Sequence, residues 1–409
     1  MSLEKLFLLL TLTVSSALYA QSPSHVYLYW DHENLSHTMT IGFHSPIETS
    51  NVHAYISNTK NVSIQNAKKT PPTQTKCYQE LKRCVHRFSL RGLKPASPYY
   101  FILNDGKNNL TKEKKFRTLG ENPKLITMVS GGDLSVTRET KMLLTKSAGF
   151  SPDLAVLGGD LAYDNGEIGN IGLWDLWLNH WEEAMVTPDG FTIPMILAIG
   201  NHEVKGGWNA KSSDATLFLK FFQQDEKKTY FSRELGKLAV LMILDSGHIA
   251  SVEEQVPWIL KNLTKYKDAP YRFAAYHVPL YPSHRNFEDE HSSHLRKFWG
   301  PVFDRGLTFA LEHHDHSLKR THRIRAGKRD DKNGVLYLGD GCFGIAPRPV
   351  HPESWYLAKA ASVAHFWVTK FTKESVKMEA FGQDGQVFDS SELRNPKTVN
   401  LVLSEFIKD

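Results

Sequence analysis

Six stretches in the later part of the chain, LITMVS, LAVLGG, MILAIG, LAVLMILD, FAAYH and LTFAL, are apolar without a break. An alternating strand can face water on one side, but a continuously apolar strand must be covered on both. Segments with helical spacing separate the runs, so a βαβ architecture is expected from about residue 121 onward. In such folds ligands bind outside the carboxyl ends of the strands, which makes a polar residue directly after a run a candidate for function.

Five runs end this way. Asp133 follows LITMVSGG, Asp160 and Tyr163 follow LAVLGG, Asn201 and His202 follow MILAIG, His277 closes FAAYH, and His314 and His316 follow LTFALEH. Each residue alone has a structural reading: Asp133 as a turn or helix cap, Asp160 and Asn201 as turn formers, His277 as a satisfied core histidine, Tyr163 as core packing. Loops alone would not set oxygen and imidazole donors after five strands. The two Asp, one Asn, one Tyr and three His, with no Cys, suit hard or borderline ions such as Fe, Zn or Mn rather than soft metals. Seven donors are too many for one tetrahedral ion and suit two ions sharing a carboxylate. The cluster His313-His314-Asp315-His316 offers two registers, His314 with His316 or His313 with Asp315, and the cluster itself does not choose.

Asp245 and His248 follow the sixth run and are read as structural. Asp164 and Glu203, beside motif residues, are read as loop-orienting groups. The Trp-rich stretch from Leu173 to Trp181 has the spacing of a packed helix. The stretch VKMEAFGQDGQVFDS reads as a hairpin turning at Asp384-Gly385.

The pattern differs from His25 to about Thr118. Short alternating stretches, HVYLYW, MTIGF, VHAYIS, HRFSLRGL and YYFILNDG, predict a small β-sandwich, with a boundary between Leu119 and Lys124. The first 20 residues have one Lys, a short apolar run and then small residues. That is the layout of an export signal, with a run too short for a permanent anchor. The expected organisation is therefore 1–20 signal, 21–120 β-sandwich and 121–409 catalytic domain, in a secreted or periplasmic protein without a membrane anchor. Cys77 and Cys84 could pair across neighbouring strands or stay as buried thiols, and Cys342 has no reading. The formal net charge of +5 comes from basic residues dispersed along the chain. It favours an anionic substrate and does not suggest a nucleic-acid binder.

Taken in order, Asp133, GDLAY, GNHE, His277 and HDHSLKR resemble the purple acid phosphatase family of binuclear metallophosphoesterases, and LRGLKPASPYYFILND followed by KKFRT resembles the end of a fibronectin type III module. The resemblance implies a multi-domain fold: an N-terminal all-β fibronectin-like sandwich, then a four-layer αββα catalytic domain. It implies Fe(III) on Asp133, Asp160, Tyr163 and His316, and a divalent Fe, Zn or Mn on Asp160, Asn201, His277 and His314. The register is chosen because HDHSLKR overlies the family's GHxHxxxR pattern. A hydroxide generated on the two ions would attack a small phosphate monoester. His202 would contact the phosphoryl group, and His284 in HVPLYPSHRNF would protonate the leaving group, with His291 and His294 as rivals. Two positions depart from the family, Ser135 and His313, each in place of Gly. On this reading His313 is no ligand, and His313→Gly should leave both metals bound. Alternatives are a phosphodiesterase or nucleotide hydrolase on the same site, or a binding or adhesion protein with an inactive hydrolase domain. Against the last, every expected ligand position holds a competent donor. Oligomeric state has no signature in the sequence.

Overall fold

The computed structural model describes residues 25–49, 51–104, 110–225, 228–339 and 341–395. The expected export signal lies outside these residues. Between residues 26 and 117 the chain forms two groups of four antiparallel strands. One runs in the order Val26–Tyr29, Met39–Pro46, Arg83–Leu90, Gln74–Tyr78, and the other in the order Lys68–Thr70, His53–Ser57, Pro98–Asn104, Lys114–Arg117. Lys68–Thr70 and Gln74–Tyr78 escape sequence reading because KKT and QTKCY are polar, largely exposed edge strands with no apolar alternation. Cys77 and Cys84 stand opposite each other in the Gln74–Tyr78 and Arg83–Leu90 pair and are joined by a disulfide, which settles the choice left open above.

The first group does not stand alone as a sheet. Val26–Tyr29 pairs in parallel with Met195–Leu197 through Tyr29 and Met195, extending it into a ten-stranded sheet with Leu154–Leu157, Ile126–Gly131, Phe366–Phe371, Ser375–Phe381 and Val387–Arg394. The last two strands form the hairpin expected around Asp384-Gly385. A seven-stranded sheet carries Phe231–Leu235, Ala239–Ile243, Tyr271–Ala275, Phe309–Glu312, Leu336–Gly339, Leu318–Thr321 and Leu357–Ala361, in that order.

Side-chain alternation distributes these strands between separate cores. Met128, Val156 and Ile196 of the first sheet share one apolar cluster with Leu241, Phe273 and Phe309 of the second. Their neighbours Val129, Ala155 and Leu157 pack instead with Leu143 of helix Arg138–Ala148 and with Trp174, Trp177 and Trp181 of helix Ile171–Ala184. On the second sheet, Met242, Ala274 and Ala310 pack with Ile259 of helix Val252–Lys265 and Trp299 of helix Glu290–Phe303. Each of the larger aliphatic and Phe side chains among these, removed from water, contributes about 1.5–3 kcal/mol. Three of these helices start at the side-chain caps Thr137, Ser251 and Asp289, which satisfy first-turn N–H groups. Among the described residues no helix is long and apolar enough to cross a membrane. The carboxyl ends of both sheets' parallel strands open on the same region, where the donors predicted above meet.

Candidate metal centre

Each donor sits two to six residues beyond its strand, and five of the seven have positive φ. Asp133 (56°), Asp160 (55°), Tyr163 (60°), His314 (78°) and His316 (54°) all lie in the left-handed region, as does Ser135 (61°). Non-glycine residues avoid this region unless their surroundings impose it, and such strain clusters at functional sites. Ser135 thus adopts a conformation in which Gly is the unstrained residue. His313 does not have positive φ, so no glycine is required there, and its departure from the family pattern is one of packing.

The side chains form two adjoining groups. In one, His277 Nε2 lies 3.1 Å from Asp160 Oδ2, 3.0 Å from Asn201 Oδ1 and 3.0 Å from His314 Nδ1. One ligand atom each from Asp160, His277 and His314 falls within a 4.8 Å span. In the other, His316 Nε2 lies 3.0 Å from Asp133 Oδ1 and 3.3 Å from the Tyr163 hydroxyl. Asp133 and His277 are wholly buried and Asp160 is 1% exposed. His277 Nδ1 donates to the Gly158 carbonyl at 2.8 Å, which leaves Nε2 with a lone pair aimed at Asp160, Asn201 and His314. Lone pairs converging on one point repel unless a cation lies between them. Without a metal a proton takes that place: burial opposes the charged form of His277, but the Asp160 and Asp133 carboxylates outweigh it and hold the imidazole at about 9. Burial and the flanking Asp133 and Asp160 charges push the Tyr163 phenol far up, so only a strongly charged ion would make it a phenolate. The donor chemistry and geometry therefore fit a pair of metal ions.

Groups outside the motif hold the donors in place. Glu203, fully buried, accepts the backbone N–H groups of Asp160 (2.8 Å), Gly200 (2.8 Å) and Leu161 (2.7 Å), the loop-orienting role expected of it. Asp315, between the two histidines, is also buried. Its Oδ2 accepts the N–H groups of Ser283 and His284, each at 2.8 Å, while Oδ1 pairs with Arg285. Arg285 also donates to the His314 carbonyl at 3.1 Å. Asp245 is consumed by its own loop, accepting the N–H of His248 at 2.7 Å and of Ala250 at 3.0 Å.

His202 donates its backbone N–H to Asp160 Oδ1 (2.8 Å) and stacks on Tyr163 with ring centroids 4.3 Å apart. Its half-buried ring stays beside the donors, and burial lowers its basicity. His284 stands apart: its Nδ1 bonds the Pro349 carbonyl at 2.7 Å, and among the described residues no hydrogen bond joins its ring to the seven donors. His294 pairs with Glu253 at 3.0 Å. His291 stacks on Trp208 at 3.7 Å, and Trp208 in turn stands edge-on to His314 at 5.8 Å. Sequence reasoning missed Trp208 and Arg285, which neither follow a run nor occupy a motif position, and the role of Asp315, which stands at the variable position between the two histidines. His248 is wholly buried, its ring 5.6 Å from that of His277, with Nδ1 on the Gly207 carbonyl and Nε2 unpartnered.

Fold and donor set together fit a metal-dependent phosphoesterase. No family model matches it. It is similar to purple acid phosphatase 15 of Arabidopsis thaliana, 25% identical over 63% of this chain and 53% of that protein, and to probable purple acid phosphatase 20 of the same plant, 27% identical over 67% and 65%. The chain thus spans between half and two thirds of the length of these relatives. Among solved structures it is similar to purple acid phosphatase PPD1 from yellow lupin seeds, with a TM-score of 0.75 and 18% identity over 91% of this chain and 75% of that one. It also resembles PhoD, with a TM-score of 0.67 and 13% identity over 92% of each chain. These similarities support the purple acid phosphatase family for this chain.

Proposed function

We propose that this protein is an exported acid phosphatase that hydrolyses small phosphate monoesters at two metal ions. Its four-layer αββα region (121–409) would follow a fibronectin type III-like domain (21–120). The observation that carries the reading is the convergence of ligand atoms from Asp160, His277 and His314 within 4.8 Å, beside Tyr163. Asp133, Asp160, Tyr163 and His316 would hold one ion, ferric on account of the phenol, and Asp160, Asn201, His277 and His314 a divalent Fe, Zn or Mn. Such ions supply a nucleophile by acidifying water and offset charge on phosphoryl oxygens.

The rest is the work of the chain's own residues. Asp160 lies 3.1 Å from His277 Nε2 through one oxygen and is fixed by the His202 N–H on the other. Gly158 fixes the His277 tautomer, so that Nε2 is the coordinating atom. The half-exposed His202 ring, held flat against Tyr163, can donate a hydrogen bond to a phosphoryl oxygen. His284 is assigned the proton for the leaving group, on the ground that its loop is tied through Asp315 to the segment carrying His314 and His316.

Purified protein should contain two equivalents of metal, show a visible absorption band lost in Tyr163→Phe, and cleave an aryl phosphate monoester faster than the diester. Full activity in Asp160→Asn, or inactive, metal-free protein after reconstitution, would overturn the reading.

A further inference from the structure

Basic residues scattered through the sequence meet at the pole of the second sheet opposite the metal centre. Arg272 lies at the start of strand Tyr271–Ala275, whose far end leads to His277. Five residues of strand at about 3.3 Å each separate the two by roughly 16 Å. A cavity of about 660 Å³ opens there, lined by Arg272, Arg305, Arg323, Arg325, Lys332 and Arg394 and by a single carboxylate, Asp304. These cations come from four separate segments of chain, which the fold brings together.

Several arginines elsewhere pair with carboxylates, Arg83 with Asp175, Arg285 with Asp315 and Arg320 with Asp389, while Arg87 and Arg233 are held by amide and carbonyl oxygens. Here none of the six is ion-paired among the described residues. Arg323 is held by carbonyls, Nε on Gly334 at 2.8 Å and a terminal nitrogen on Asp331 at 3.2 Å. Arg272 donates to the Lys267 carbonyl at 3.3 Å with the Asp268 charge close by, and its buried Nε has no hydrogen-bond partner among the described residues. Asp304 already accepts the Ala326 N–H at 2.8 Å. Six cations face one lining carboxylate, with Asp268, Asp330 and Asp331 close by, so the cavity is net positive and of a size suited to small ligands. Guanidinium forks match phosphate oxygens two at a time. The lining has no aromatic side chain, so it offers no stacking surface for a nucleobase.

We propose that this cavity is a second site, independent of the metal centre, that binds a small molecule carrying two or more phosphate groups. The test is calorimetric titration of the full chain with inorganic tripolyphosphate, in Asp160→Asn to remove turnover and in the wild type alongside. One equivalent should bind to both with the same affinity, weakening steeply between 50 and 200 mM salt as phosphate contacts do. Orthophosphate should bind far more weakly. Arg305→Ser with Arg325→Ser alters two exposed side chains, so the fold is not at risk. It should weaken binding about tenfold or more while leaving aryl phosphate hydrolysis at the wild-type rate. Undiminished binding in that double variant, or binding that Asp160→Asn abolishes, would overturn the proposal. Tighter binding of an oligonucleotide than of tripolyphosphate would overturn the assignment to a small molecule. A failure of the metal-centre reading would appear in the hydrolysis assay and leave these titrations unchanged.

Discussion

His313 permits a sharp test of how the ligand loop is built. Its ring is 1% exposed, donates from Nδ1 to the Tyr276 carbonyl at 2.8 Å, and rests on two glycines. The contact is so close that a Cβ at Gly158 would lie 1.8 Å from Nδ1, and one at Gly132 would lie 2.7 Å from Cδ2. Replacing the ring by hydrogen in His313→Gly opens a void that neither glycine has a side chain to fill. An imidazole-sized void of roughly 90 Å³ at about 24 cal/mol per Å³ costs about 2 kcal/mol. The Tyr276 carbonyl, left buried without its donor, adds about 1 kcal/mol, and glycine's greater freedom in the unfolded chain adds roughly 0.5–1 kcal/mol. The expected loss is near 4 kcal/mol, read as a lower urea midpoint at unchanged slope. The loop hydrogen bond from the 313 N–H to the His277 carbonyl involves only backbone, so the folded variant should retain both metals. Wild-type stability would refute the packing role. A folded variant lacking one metal would show that His313 itself shapes or joins the coordination sphere.

Other expectations follow from the same contacts. Glu203→Gln turns one acceptor oxygen into an amide that faces a backbone N–H, leaving a buried donor unmet at about 1–3 kcal/mol; metal content per chain should fall with activity, and unaltered loading would refute the role of Glu203. Burial holds His86 and His365 down at about 4, against 6.5 in the unfolded chain. Their contribution to stability is therefore complete above pH 6.5 and lost as pH falls toward 4; urea midpoints should drop across that window and drop less in His365→Gln, whereas a flat profile would contradict it. Serine at both Cys77 and Cys84 opens a loop of about eight residues, worth roughly 2 kcal/mol, and should leave metal content unchanged because the disulfide staples the far edge of the ten-stranded sheet.

The strands leading to the site were legible because burial on both faces writes itself as an unbroken apolar run, and the donors because a strand end is a fixed place to look. What was not legible had no such mark. Gln74–Tyr78 and Lys68–Thr70 are exposed edges whose side chains no core selects. The parallel join of Val26–Tyr29 to Met195–Leu197 links residues 166 positions apart by backbone groups, which any sequence could supply. Asp315 read as a variable residue between two ligands, yet it accepts N–H groups from a loop thirty residues earlier. The basic cavity was invisible for the same reason, since arginines from four segments count as dispersed until the sheet brings them together.

These buried carboxylates also explain how a strained site persists. Asp133, Ser135, Asp160, Tyr163, His314 and His316 hold left-handed backbone at a cost of roughly 1 kcal/mol each or more. Nothing in a donor's own chemistry requires that conformation; the turns adopt it because it swings side chains from separate strands toward one point. Against it stand Glu203 with three backbone N–H groups, Asp315 with Ser283, His284 and Arg285, and Asp133 itself, whose Oδ2 takes the His314 N–H at 2.9 Å. Burial and the Asp160 charge push the Glu203 carboxyl up to about 8, so its bonds contribute about 0.5–1.5 kcal/mol each and those to a charged acceptor about 1.5–3 kcal/mol each, and together they are enough to offset the strain. The burden on these acids is positional: the ligands fix which ions bind, and Glu203 and Asp315 fix where the ligands stand.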